Sequence, residues 1–228
     1  MSVRFFCAAI ICLCAAAAAA QVSSPTLRCT IPATRPGDLD DLVQPSSPQE
    51  AARMRQAPLG AARVGHSLEV RWSHGVKWFR ERPPYDESLG GLHWVYCGFT
   101  PSFGVYLIEK QDNGLFTGVL LNNRTGAMLP AGEDVWFSPN RLFYLASEQP
   151  DGQDGPTLLV FQSSGKLVWK GYGGIPNLNG GVAADLVHVG WSDQNRVVME
   201  VALPSGKRQL ETLTQKNSLW EWLPKIVQ

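Results

Sequence analysis

An all-β fold built of antiparallel meanders is what this chain predicts, and three observations carry the prediction. Residues 135–169 alternate apolar runs of strand length with the separators S-P-N-R, D-G-Q-D-G and S-S-G-K. Those separators turn a chain for physical reasons: proline presets φ, glycine accepts φ > 0, and Asn, Asp and Ser bond to their own backbone. Residues 191–201 overlay residues 136–146, with Asn195-Arg196 on Asn140-Arg141 at an offset of 55 residues. A P-S-G-K segment at 204–207 then repeats the S-G-K of 164–166. From residue 66 onward nearly every other apolar run is also short and bounded by turn residues.

The chain opens with Arg4 and an apolar, alanine-rich run from Phe5 to Ala20. That run is short for a membrane span, which needs roughly 20 apolar residues, and it ends in small residues beside Gln21. Residues 1–20 therefore read as a secretory signal peptide, cleaved after Ala20, and the expected location is the periplasm. Three of the five cysteines leave with it, and the rest of the chain carries 19 basic and 20 acidic side chains. A charge near zero offers no reason to expect nucleic acid or an anionic membrane as partner. Cys29 and Cys97 remain, and an exported chain with two cysteines is expected to join them. The bridge would close about 69 residues and contribute roughly 4 kcal/mol through loop entropy.

Residues 21–65 hold six prolines among polar residues and predict a largely irregular arm, with a short helix over 49–56 ended by Pro58. Residues 66–228 predict a single all-β domain. In 66–72, Leu68, Val70 and Trp72 share one face and Glu69 and Arg71 the other, the alternation of a half-buried strand. Residues 76–80 continue that sheet. The loop 81–91 carries two prolines, 92–99 is a strong strand, and 103–110 and 115–121 form a hairpin about Q-D-N-G. Residues 122–132 read as a turn into the central meander. Beyond Trp169, residues 171–181 contain five glycines and read as a long functional loop or a glycine-rich crossover. Residues 182–190 and 209–213 are further strands, and 218–223 is a short helix or an edge strand. At roughly 40 residues per four-stranded blade, about 160 residues fall short of a regular closed propeller. A partial or degenerate β-propeller-like array is therefore expected, with a β-sandwich or irregular barrel as alternatives.

Motifs of catalysis are missing from the sequence: there is no G-x-S-x-G, H-E-x-x-H or C-x-x-C, and no phosphate-binding glycine loop before a helix. The chain is accordingly read as a non-enzyme without metal or cofactor. His93 and Cys97 lie four residues apart on one strand, about 13 Å, which is too far for a thiol–imidazole pair. Asp151 and Asp154 offer two carboxylates where calcium needs six to eight oxygens. Residues 123–125 match a glycosylation acceptor. Eight tryptophans suit core packing, with Trp220 and Trp222 as candidates for an exposed binding face.

The strand–turn–strand pattern at 135–146, joined to a signal peptide, a neutral β domain and one disulfide, resembles periplasmic immunity proteins. That family protects bacteria from peptidoglycan-cleaving amidase effectors of type VI secretion. The resemblance implies a protein-binding inhibitor that pushes a serine-bearing loop into the cysteine–histidine active site of its toxin. Ser163, Ser164 and Lys166 would enter the cleft, with Asp151 and Asp154 on the rim. A non-catalytic envelope scaffold and a carbohydrate-binding module are the alternative functions.

Overall fold

The computed structural model describes residues 25–29, 47–83, 91–112, 115–148, 156–172, 185–203, 205–216 and 219–223. The chain enters as β1 (Thr26–Arg28) and continues into α1 (Pro48–Arg55). Sheet one follows, formed by β2 (Ala61–Arg63), β3 (Ser67–Trp72) and β4 (Gly75–Arg80). Sheet two is the meander β5 (Leu92–Thr100), β6 (Val105–Asp112), β7 (Leu115–Asn122) and β8 (Met128–Ala131). Sheet three runs β9 (Asp134–Phe137), β10 (Phe143–Glu148), β11 (Thr157–Gln162) and β12 (Leu167–Tyr172), and β1 joins it along the free edge of β9. Sheet four is β13 (Asp185–Trp191), β14 (Val197–Ala202), β15 (Arg208–Lys216) and β16 (Leu219–Leu223). The pairing within each sheet is antiparallel, and the sheets do not close into a barrel.

Each sheet packs face to face on the next. Leu68, Val70 and Phe79 of sheet one meet Tyr96, Tyr106, Ile108 and Leu121 of sheet two. On the other face of sheet two, Leu107 and Leu120 meet Val135, Phe137, Tyr144 and Phe161 of sheet three. The remaining face of sheet three places Trp136, Leu145, Leu158 and Val160 against Val189, Trp191, Met199 and Leu213. Sheet three is thus covered on both sides, so β9, β10 and β11 read as largely continuous apolar runs, while the edge strand β12 does not. β14, on the outermost sheet, alternates buried and half-buried positions instead.

Within the described part of the arm, α1 forms where the sequence predicts a short helix over 49–56. Ser47 caps α1, its Oγ accepting the Glu50 amide at 3.1 Å, and Pro48 fits the first turn, which needs no amide donor. A disulfide joins Cys29 to Cys97 at a Cα separation of 4.8 Å and ties the end of β1 to β5. With only three residues, β1 cannot stand alone; pairing with β9 and the disulfide hold it.

Charged side chains cap the free edge of β5. Glu81 accepts the Trp94 amide at 3.1 Å and Glu50 accepts the Tyr96 amide at 2.8 Å. Arg63 donates to the Trp94 carbonyl, to Glu81, and to Glu50 at 2.9 Å, while His93 Nδ1 lies 2.8 Å from Glu81. An unpaired strand edge is satisfied in this way without another strand. Burial opposes ionisation of Glu81, but the hydrogen bond and charge of His93, with Arg63 and the Trp94 amide, hold its carboxyl down at about 2.

Two expectations change. Residues 122–132 are not only a turn, because Met128–Ala131 pairs with β7. Pro130 hides that strand in the sequence, yet β8 is an edge, where a missing donor costs little. Gly132 then lets the chain cross into sheet three, since a Cβ there would stand 1.7 Å from the Ser147 carbonyl oxygen. The offset of 55 also shifts at the turns. Arg141 donates its amide to the Ser138 carbonyl, and Asn195 to the Ser192 carbonyl, so the turns begin 54 residues apart. They end 53 apart, because the first closes on the Phe143 carbonyl and the second, one residue shorter, on that of Arg196. The last segment, 219–223, is an edge strand rather than a helix.

Candidate functional site: the turn end of the sheet stack

In a meander the first and third turns fall at the same end. Here neighbouring turns at that end are bonded to one another. The Ser73 amide donates to the Asn123 carbonyl at 2.8 Å, and the Asn123 amide to the Gly104 carbonyl at 2.9 Å. The Asn140 amide donates to Asn195 Oδ1 at 2.8 Å, and the Ser163 amide to the Leu142 carbonyl at 2.9 Å. The surface is built of loops, yet these bonds tie turns together within sheets two and three, and across from sheet one to two and from sheet three to four.

The S-S-G-K segment is one of these turns, between β11 and β12. The Gln162 amide donates to the Lys166 carbonyl at 2.9 Å and the Gly165 amide to the Gln162 carbonyl at 2.8 Å. Gly165 has φ +87°, which an L side chain strains to reach, and its missing Cβ would stand 3.0 Å from Leu129. Ser163, Ser164 and Lys166 are exposed at the tip. Leu142 (58 % exposed) and Leu167 (45 %) stand beside them, so the polar tip has an apolar collar. Asp151 and Asp154 lie outside the described residues, as does the glycine-rich loop beyond residue 172.

Next to this turn, Pro101, Ser102, Phe103, Gly104, Asn122, Asn123, Arg124 and Arg141 line a cleft of about 340 Å³. The Arg141 guanidinium stands 5.6 Å from the centre of the Phe103 ring, which itself stacks on Phe137 at 4.0 Å. Arg141 holds φ at 62°, a left-handed conformation costing an L residue on the order of 1 kcal/mol. The equivalent residue, Asn195, holds φ at 59°, and Asn bears that conformation more easily. The acceptor pattern at 123–125 falls here too, with the Asn123 carboxamide oxygen buried.

Acidic groups gather at the opposite side of sheets two and three. Glu109 is 1 % exposed, takes a hydrogen bond from Gln111 at 3.0 Å, and lies within 4.8 Å of both disulfide sulfurs. Bridged sulfurs provide no thiolate, so this group is not a metal site. Burial raises the Glu109 carboxyl to about 8, with Glu133 and Asp134 adding to the rise against Gln111 and Arg53. Burial and Asp134 raise Glu133 to about 7. Between the ordinary carboxylate value and about 8, folded Glu109 keeps a proton that the unfolded chain releases, so stability falls as pH rises through that window. Glu109→Gln is expected to flatten this slope, raising the melting temperature at pH 8 and leaving it nearly unchanged at pH 4. A melting series in which both proteins keep the same slope would refute the assignment.

The tryptophans are mostly structural. Trp136 and Trp191 are buried and linked, the Trp191 indole donating to the Trp136 carbonyl at 2.9 Å. Trp220 and Trp222, candidates for an exposed face, are half-buried and pack on the core between sheets three and four. Trp78 on β4 is the exposed one, at 49 %.

Fold and site together define an all-β protein of four stacked antiparallel sheets with a disulfide-tied arm and a cross-bonded turn surface. Comparison with protein-family models, curated proteins and solved structures gave no match.

Proposed function

We propose that the protein is an exported, non-catalytic inhibitor that binds a secreted, peptidoglycan-cleaving cysteine amidase in the manner of a type VI secretion immunity protein. The observation that carries this reading is the S-S-G-K turn. Two small hydroxyls are held on a backbone fixed by bonds to Lys166, Gln162 and Leu142, with Leu142 and Leu167 exposed around them. A preorganised tip loses little entropy on binding, and an apolar collar excludes water from the contact it surrounds. A serine hydroxyl at such a tip can hydrogen-bond the catalytic histidine of the amidase in place of substrate. The leader at residues 1–20 and the Cys29–Cys97 bridge support a periplasmic setting.

The test is inhibition of a cell-wall cysteine amidase by the oxidised protein and by a Ser163→Trp/Ser164→Trp variant. Both side chains are exposed, so the variant should fold and melt like the parent while inhibition weakens by about 100-fold or more. Equal inhibition by parent and variant would sink the turn assignment. No inhibition by the parent would sink the amidase reading.

A further inference from the structure

The cleft beside the serine turn has a composition that the turn itself does not explain. Its charged members are Arg124 and Arg141, and its lining contains no acidic residue. Among the described residues neither guanidinium is paired with a carboxylate. Arg141 is held over the Phe103 ring, and that ring is anchored in turn by stacking on Phe137. The guanidinium is therefore positioned before any ligand arrives.

The similar turns of sheets three and four supply an independent observation. Two turns share the bond from the fourth residue's amide to the first residue's carbonyl, Arg141 to Ser138 and Asn195 to Ser192, and each holds that fourth residue left-handed. The first turn is one residue longer, closing from the Ser138 amide to the Phe143 carbonyl rather than from Ser192 to Arg196. Asparagine suits that backbone and arginine does not. Nothing in the turn's own bonding uses the arginine side chain: the bonds run through the Arg141 amide, Ser138, Asn140 and Phe143. The side chain that strains the backbone is also the one that lines the cleft, which is the pattern of conformational strain kept at a functional position.

We propose that this cleft is an anion-binding subsite that takes a carboxylate of an acidic peptide segment on the partner. Arg124 and Arg141 would bind the carboxylate, and Phe103 would pack on the aliphatic stem that carries it. A guanidinium presents paired N–H donors that match a carboxylate. A cleft of about 340 Å³ admits a side chain or a chain end rather than a folded surface. The proposal rests on the reading that this end of the molecule meets a protein, since the cleft adjoins the 138–143 turn that bonds Ser163. It adds that the partner is acidic beside the point where the serine tip enters.

The experiment uses the oxidised full chain and no amidase. A short blocked peptide with two adjacent glutamates, its glutamine counterpart and inorganic phosphate are titrated while amide NMR signals are followed. The acidic peptide should saturably shift Ser102, Gly104, Arg124 and Arg141, and binding should weaken as salt is raised. Arg124→Ala should weaken it about tenfold. Arg141→Asn should weaken it as much while melting about 2–4 °C above the parent, because backbone strain is released. Equal shifts with the glutamine peptide, or none with either, would overturn the subsite. Phosphate binding as tight as the acidic peptide would overturn its assignment to a peptide carboxylate. A lower melting temperature for Arg141→Asn would show the arginine to be structural and overturn the functional account of its strain. Because no amidase is present, failure here leaves the inhibitor reading standing, and failure of amidase inhibition leaves the subsite standing.

Discussion

Arg63→Met is expected to destabilise the protein by about 3–5 kcal/mol, the usual cost of removing one partner from a buried ion cluster. Arg63 is 15 % exposed in its side chain and Glu50 and Glu81 are 3 % exposed. Methionine fills a similar volume, so the loss isolates charge and hydrogen bonding. Two carboxylates would then be left together with one cation-capable neighbour, His93, and the Trp94 carbonyl would lose its donor. The pH dependence gives a second readout. Glu81 is depressed to about 2 in the folded protein, so its contribution is complete above its ordinary value and fades as pH falls from there towards 2. In Arg63→Met the carboxylate accepts a proton more readily, and the gap between parent and variant should narrow below about pH 4. Urea unfolding at pH 7 and pH 3.5 measures both effects. A loss under 1 kcal/mol at pH 7 would show that the cluster is solvated and that β5 needs no such cap.

The double variant Cys29→Ser/Cys97→Ser is expected to lose roughly 4 kcal/mol, from the entropy returned to the unfolded chain when a loop spanning a 68-residue separation opens. For a chain of this size the melting temperature should fall by about 8–16 °C. The loss should also be local. β1 is three residues long, so without the bridge it should detach from β9 before the sheets unfold. Hydrogen exchange reads this at the amides of position 29 and Phe137, which in the parent donate to the Glu133 and Pro25 carbonyls. A melting temperature within 2 °C of the parent would mean that pairing with β9 alone holds the arm.

Much of the strand pattern was legible because period and turn chemistry are local properties. The strand at 67–72 reads from the alternation of Leu68, Val70 and Trp72, and S-S-G-K reads as a turn because glycine occupies the position with positive φ. β1, β2 and β8 were not legible. Each is short, and each is a strand only because a longer neighbour supplies the pairing. The ion cluster was hidden for a different reason: Glu50, Arg63, Glu81 and His93 meet across three elements and a loop, and nothing in their spacing marks them. Ser163, Ser164 and Lys166 could be singled out as a turn tip. Arg141 could not, because the overlay that matched Asn195-Arg196 to Asn140-Arg141 placed it opposite another arginine. Only the turn bonds show that its counterpart is Asn195.

The order of the sheets has a consequence for cooperativity. Each apolar cluster joins one sheet to its immediate neighbour, so the molecule behaves like a short one-dimensional array whose units gain stability from adjacent units. Interior units have two neighbours and terminal ones have one. Sheet one compensates through the ion cluster, and sheets two and three share the disulfide-bound arm, but neither device reaches sheet four. Opening should therefore begin at β13–β16 and spread inward, while the turn surface over sheets two and three keeps its shape.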